Sequence, residues 1–260
     1  MPSSGFPDER ELVPYEASTF VANRVVVFAP HPDDEVLGCG GALADLLDRG
    51  ARLDVVLVTD GAAGAGDAGE RGRIAAMRME ESRRALDALG GGTLHAGGLP
   101  DRGLADRLEE VETLLARWLV EAAPDLVFAP SPVETHPDHR AVAAALLRLA
   151  ARPDGDAAVR ALEGTKVAFF ELSQPFRPNF LFDATRVLDR KERAMAKFVS
   201  QAAVRDYAGF VRGLHAYRRM TLPVDVASVE AYSVAAGSRL RRDPGGVVRA
   251  LLPVAAGGEG

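Results

Sequence analysis

Arg24-Val-Val-Val-Phe-Ala-Pro-His-Pro-Asp-Asp-Glu35 is a short β-branched run ended by proline and followed at once by an acidic, histidine-bearing loop. A run this uniformly apolar predicts a strand buried on both faces. A second stretch repeats it: Val127-Phe-Ala-Pro130 ends in the same four letters and leads into Ser131-Pro-Val-Glu-Thr-His-Pro-Asp-His139. Outward from the first stretch, Leu43, Leu46 and Leu47 recur at helical spacing within residues 40–49, with Gly50 where a C-terminal cap belongs. Residues 53–59 predict a second strand, and 73–89 a charged amphipathic helix closed by Gly90-Gly91-Gly92. A weaker strand is expected over 93–97, a helix over 104–122 and a fourth strand over 125–129. Farther on come a helix over 141–151, strands near 166–172 and 180–183, and helices around 186–200 and 203–219. Alternation at this pace predicts an α/β fold, Rossmann-like, whose mostly parallel sheet is covered by helices on both faces in a single domain.

Composition is consistent with one large core: 260 residues, 47% hydrophobic and 26% charged. Acidic residues outnumber basic ones, 37 to 31, for a formal net charge of −6, so bulk electrostatics favour neither nucleic acid nor anionic lipid. Cys39 is the single cysteine, which excludes an intrachain disulfide. Residues 1–16 carry three prolines and mixed charge without period, and read as an extended arm over a domain of residues 17–235. Residues 236–260 read as a C-terminal tail whose Gly-rich end, 253–260, is expected to be disordered. There is no basic start with an apolar h-region and no run near the roughly 18 apolar residues of a membrane span. The expectation is a soluble, cytoplasmic protein without membrane or nucleic-acid partners; the sequence leaves room for a homo-oligomer.

Chemistry concentrates in the two loops. In an open parallel sheet, function collects outside the C-terminal ends of the strands, where loops distant in sequence can meet. A catalytic divalent metal takes three protein ligands from histidine and carboxylate and leaves a position for water, and His31, Asp34 and His139 supply such a set. Pro32 and Pro137 stiffen the two loops by fixing φ. Adjacent side chains diverge, so Asp33 is left free of the metal and available as a general base. Either motif alone also reads as a proline turn before a capped helix; two of them after near-identical strands favour the metal. Two histidines and a carboxylate suit Zn2+, and the same set suits Fe2+.

HPDDE after an apolar strand, with HPDH about a hundred residues later after another, resembles the LmbE-like, or PIG-L-type, N-acetylglucosaminyl deacetylases. Further likenesses are Val58-Thr-Asp-Gly61, Arg78 with Glu81, Leu99-Pro-Asp101, Lys191 and Ser200-Gln201, so the resemblance spans about residues 24–232. It implies a hydrolase that removes the N-acetyl group from an N-acetylglucosamine-type sugar or conjugate, a small-molecule amino-sugar substrate. By resemblance His31, Asp34 and His139 hold the metal, Asp33 is the base, and a protonated His136 assists at the oxyanion. Some members carry tyrosine where this chain has Glu134, which is expected either to turn outward or to recognise substrate hydroxyls. The competing readings are a metallophosphoesterase, suggested by the acidic loops, and a sugar-binding module without turnover.

Weaker candidates complete the sequence reading. Arg78 and Asp101 have the donors and acceptors to bind sugar hydroxyls, and each also reads as an ordinary helix-surface or turn residue. Glu35 is expected to orient a ligand histidine or to serve as a helix-start acid, and Glu81 to hold Arg78. Gly38-Cys-Gly-Gly41 invites a nucleotide reading, but the three carboxylates before it would repel a pyrophosphate. His95 and His215 read as structural, Cys39 as a buried small residue, and Phe169, Phe170, Phe176, Phe180 and Phe182 as core.

Overall fold

Strands apolar on both faces need helices above and below them, and the chain supplies both layers. The computed structural model describes residues 8–63 and 65–253. After a short helix α1 (Glu9–Leu12), strands and helices alternate: β1 (Arg24–Ala29), α2 (Asp34–Asp48), β2 (Arg52–Thr59), α3 (Ala68–Leu89), β3 (Thr93–Leu99), α4 (Leu108–Ala122), β4 (Leu126–Pro130) and α5 (Pro137–Ala150). The second half runs α6 (Ala157–Glu163), β5 (Lys166–Phe170), β6 (Phe180–Asp183), α7 (Leu188–Met195), α8 (Val199–Ala202), α9 (Tyr207–Arg218), β7 (Val229–Ala236), α10 (Gly237–Arg242) and α11 (Pro244–Ala250). One seven-stranded sheet has the order β3-β2-β1-β4-β5-β7-β6. The first five strands pair in parallel, and β7 runs antiparallel to both β5 and β6.

Period-2 alternation divides the core. Val25, Val27 and Ala29 of β1 pack with α2, α3 and α7 residues in one layer, while Val26 and Phe28 join α4 and α5 residues in the other. Where α2 lies against the sheet, every residue from Asp34 to Leu46 is buried, so this helix is enclosed on all sides. It starts six residues before the stretch whose leucine spacing predicts a helix, because residues 34–39, Gly38 included, are helical rather than loop. The glycines allow close approach: a Cβ on Gly38 would overlap the Phe170 ring, and one on Gly41 would lie 2.8 Å from Glu230 Oε1. The nucleotide reading of these glycines therefore gives way to packing.

Behind α2 lies a fully buried ion pair, Lys191 Nζ to Glu230 Oε1 at 2.6 Å. Lys191 also donates to Leu37 O at 2.9 Å and faces His215 Nε2 at 3.4 Å. Glu230 accepts from the N–H groups of Gly41 and Ala42, at 2.6 and 2.8 Å, and from the Tyr232 hydroxyl at 2.6 Å. Leu37 O and Gly41 N are an i, i+4 pair of the helix, so the ion pair takes hold of both ends of one rung.

Residues 237–253, expected as tail, form α10 and α11 and bury Leu240, Val247 and Leu251. Of the end expected to be disordered, 253–260, residues 254–260 lie outside the described residues, as do 1–7 of the arm. The described part of the arm is tied down: Arg177 donates to Glu11 O and Leu12 O, and Thr221 Oγ1 to Pro14 O. Among the described residues no helix is long and apolar enough to cross a membrane.

Candidate metal centre

Strand order puts β1 beside β4, with Val25 opposite Leu126 and Val27 opposite Phe128, so the HPDDE and HPDH loops leave neighbouring strand ends. This is where the order reverses, with β2 and β3 on one side and β4 and β5 on the other, and such a point opens a crevice. His31 is buried there between two prolines. Its backbone N–H donates to Asp34 Oδ2 at 2.9 Å, and its Nδ1 lies 3.1 Å from the same oxygen. His139, in the first turn of α5, brings Nε2 to 3.1 Å from that oxygen as well. The three residues expected as ligands thus converge, one carboxylate oxygen between two imidazoles. His139 Nδ1 is buried without a hydrogen-bond partner among the described residues.

Two further groups crowd His31. His136, the N-cap of α5, stands edge-on to it with ring centroids 4.7 Å apart, and nitrogens of His31, His136 and His139 all lie within 4.8 Å of one another. On the other edge, His31 Nε2 faces Asp101 Oδ1 at 3.2 Å and Asp138 Oδ2 at 3.3 Å, an overlapping donor set. Asp138 is already engaged by the N–H groups of Arg102 (2.7 Å) and Leu104 (3.1 Å), and Asp101 by that of Ala63 (3.2 Å). Carboxylates at Nε2 orient the His31 ring, as they do in metal-binding histidines. Asp34 Oδ2, 3.1 Å from both His31 Nδ1 and His139 Nε2, adds a carboxylate to the two clusters that His31 forms with His136 and His139 and with Asp101 and Asp138, a donor set suited in kind to a divalent cation.

Electrostatics agree with a cation-seeking cluster. Burial pulls the His31 imidazole down, yet the hydrogen bonds it donates to Asp101, Asp138 and Asp34 outweigh it and leave the pKa well above the ordinary value. Asp34 is desolvated but held far below the usual carboxylate range by His139 and His31. Burial, then repulsion from Asp34, push Asp33 well above that range despite the nearby Arg78 guanidinium. His136 is lowered by burial and by its histidine neighbours. Its Nδ1 accepts the Asp138 N–H at 3.2 Å, so its one proton sits on Nε2. The acceptor role at Nδ1 and the lowered pKa both run against the protonated His136 that the resemblance implies.

Asp33 occupies an unusual backbone state, φ 119° and ψ −31°. A side chain in such a region costs about 1–3 kcal/mol and persists where surrounding contacts force it, often at functional sites. Among the described residues, Arg78 is the hydrogen-bonding partner of the Asp33 carboxylate, at 3.4 Å. Arg78, expected at sugar hydroxyls, is instead 6% exposed and donates to Gly61 O and Pro32 O, each at 2.7 Å, so its guanidinium fastens two site loops together. Gly61, at φ 63°, has to be glycine: a Cβ would lie 2.7 Å from Pro32 Cδ and 3.0 Å from Arg78 Nη1.

Three more expectations change in whole or in part. Glu134 turns inward rather than to solvent or substrate; it is 1% exposed and accepts from Leu172 N–H (2.6 Å), Ser173 N–H (3.0 Å) and the Ser173 hydroxyl, pinning the loop after β5. Among the described residues Glu35 reaches no ligand histidine; of its two readings the helix-start acid holds, since it lies in the first turn of α2, where it accepts the Asp33 N–H at 3.0 Å. Glu81 holds not Arg78 but Ser200, accepting from its N–H at 2.8 Å and its hydroxyl at 2.6 Å. Asp101 does sit in the site, beside His31. Asp138 carries no separate expectation from the sequence, although an acid two residues after an N-capping histidine is a recognisable signal for N–H binding.

A family model described as GlcNAc-PI de-N-acetylase (PIG-L) matches residues 26–150. Diacetylchitobiose deacetylase of Thermococcus kodakarensis is 32% identical over 190 residues, covering 68% of this chain and 70% of that protein. A 1D-myo-inositol 2-acetamido-2-deoxy-alpha-D-glucopyranoside deacetylase of Corynebacterium glutamicum is 32% identical over 145 residues, 45% of this chain and 49% of its own length. Among solved structures, N,N'-diacetylchitobiose deacetylase from Pyrococcus horikoshii superposes with a TM-score of 0.69 at 26% identity, covering 84% of this chain and 85% of that one.

Proposed function

The chain belongs to the PIG-L family of de-N-acetylases, and from that premise we propose that it is a metal-dependent hydrolase removing the acetyl group from an N-acetylglucosamine-type sugar or conjugate. The observation that carries the reading is the convergence of His31 and His139 on one oxygen of Asp34, with Asp33 beside them and outside the donor set. The relatives named above, which act on N-acetylated sugars, support the substrate class.

His31, Asp34 and His139 would hold the cation, which we take to be Zn2+ from the mixed nitrogen and carboxylate donors. When bound, it would supply Lewis acidity to the acetyl carbonyl and lower the pKa of water in the site. The remaining chemistry falls to the side chains. Asp33, made more basic by burial and by Asp34, takes a proton from the attacking water. The water oxygen bonds to the acetyl carbon, and the carbonyl electrons move onto oxygen. His136, with Nδ1 committed to the Asp138 N–H, offers its Nε2–H to that oxyanion. Asp33 returns its proton to the nitrogen, the C–N bond breaks, and acetate and the amine leave.

The test is acetate release from a panel of N-acetylated amino sugars and glycosides by metal-loaded protein, comparing wild type with Asp33→Asn. Turnover should fall by about 100-fold or more in the variant, the range for losing a general base, with bound metal retained. Absence of acetate from every substrate would remove the substrate class, and an active Asp33→Asn would remove Asp33 as base. Metal analysis of the purified protein tests the zinc assignment: a stoichiometric metal other than zinc would overturn it.

A further inference from the structure

We infer that Glu35 is a positioning residue for catalysis, acting through the backbone of Asp33 rather than on metal or substrate. The inference rests on the proposal that Asp33 is the base. Three observations carry it. Asp33 sits at φ 119°, a conformation that a residue with a side chain does not hold without restraint. Its N–H donates to Glu35 Oε2 at 3.0 Å, a first-turn acid reaching back to the N-cap residue as in one half of a capping box, with the reciprocal bond missing, since the Asp33 side chain caps nothing. Glu35 is completely buried, and its second oxygen, Oε1, has no hydrogen-bond partner among the described residues.

A buried carboxylate with an unused oxygen is costly, and a stable core would be served as well by an apolar side chain. Its place is explained by what the used oxygen does. It draws the Asp33 N–H inward while Arg78, from the other side, holds Pro32 O at 2.7 Å. Between these two grips the peptide joining Pro32 to Asp33 is fixed, and with it the direction in which the Asp33 side chain leaves the chain. Released, Asp33 would relax toward ordinary backbone angles, and its carboxylate would leave the position from which it meets the attacking water. Asp34, one residue on, is anchored independently through the His31 N–H and two imidazoles. Base positioning and metal holding are therefore separable.

The experiment compares Glu35→Gln and Glu35→Leu with wild type and Asp33→Asn, all metal-loaded, measuring kcat, KM, bound metal and the hydrogen-exchange protection of the Asp33 amide. Gln keeps an acceptor for that N–H and turns its amide toward the unused side; Leu removes the acceptor. Glu35→Leu should lose at least about 10-fold in kcat, the scale of a misoriented catalytic group, with KM and bound metal unchanged and Asp33 amide protection lost. Glu35→Gln should recover most of the rate and the protection. The inference is overturned if Leu matches wild type in kcat, if Gln fails as badly as Leu, or if the loss lies in KM or metal content. An active Asp33→Asn would remove the base itself, which is a different failure and visible in the same data.

Discussion

Lys191→Met would remove the cation that, among the described residues, pairs with Glu230, while leaving that carboxylate enclosed. Lys191 uses all three ammonium protons, on Glu230, Leu37 O and His215 Nε2. Its loss strands a buried charge and two acceptors, and breaking one side of a buried pair costs about 3–5 kcal/mol. For a chain of this length, each kcal/mol corresponds to about 2–4 °C, so the thermal midpoint should fall by about 6–20 °C. Glu230→Met alone should cost a similar amount, because it strands the ammonium. The double variant is the informative one. With both partners gone no buried charge is left unpaired, Leu37 O and Gly41 N still face each other as i, i+4 groups of α2, and two methionines fill the space. Its loss should be about 1–2 kcal/mol, well short of the sum of the singles, an interaction that a double-mutant cycle isolates. Urea unfolding of the four proteins at pH 7.5 measures it. Additive losses, or a Lys191→Met variant within about 1 kcal/mol of wild type, would refute the reasoning.

Chelation should lower the unfolding midpoint of the metal-loaded protein, and Asp34→Ala should abolish that sensitivity; an equal drop in the variant would mean the donors have been misassigned. Gly38→Ala forces a Cβ into the Phe170 ring and should destabilise by about 1–3 kcal/mol in thermal unfolding; no change would mean that α2 has slack. His215 is buried, and that desolvation together with the Lys191 charge sets its pKa well below the ordinary value. Its unfolded form binds a proton that the folded form refuses, so this contribution is complete above about pH 6.5 and is lost as pH falls below it. Wild type should therefore lose stability between pH 7.5 and 5.5 more steeply than His215→Asn, by up to about 1.4 kcal/mol per pH unit; parallel profiles would contradict it.

The parallel half of the sheet and the convergence of the two loops were legible because β1 and β4 are apolar on both faces, and such runs have few alternatives. The start of α2 was not, since glycines at 38, 40 and 41 are poor helix formers and the apolar spacing carries the helix back only to residue 40, whereas Phe170 and Glu230 pack closely on Gly38 and Gly41. β7 was hidden for a related reason. Its Glu230 is as charged as any surface residue, and burial opposite Lys191 cannot be inferred from a partner 39 positions away. Glu35, Arg78 and Glu134 show the limit most plainly. Their residue types suit a site, but each makes its main hydrogen bonds to backbone groups, a choice decided by local turn geometry that no spacing rule records.

The adjacency of β1 and β4 also sets an order of events. Donors at 31 and 34 come from the first connection of the sheet and the donor at 139 from the start of α5, so no nascent segment shorter than about 140 residues can complete the set. The pairing that joins them is the longest closure among the first four strands, and closures of that span come late. On the proposed donor set, metal capture would then follow docking of β4 and would lock it, a clasp on the most distant parallel pairing of the sheet.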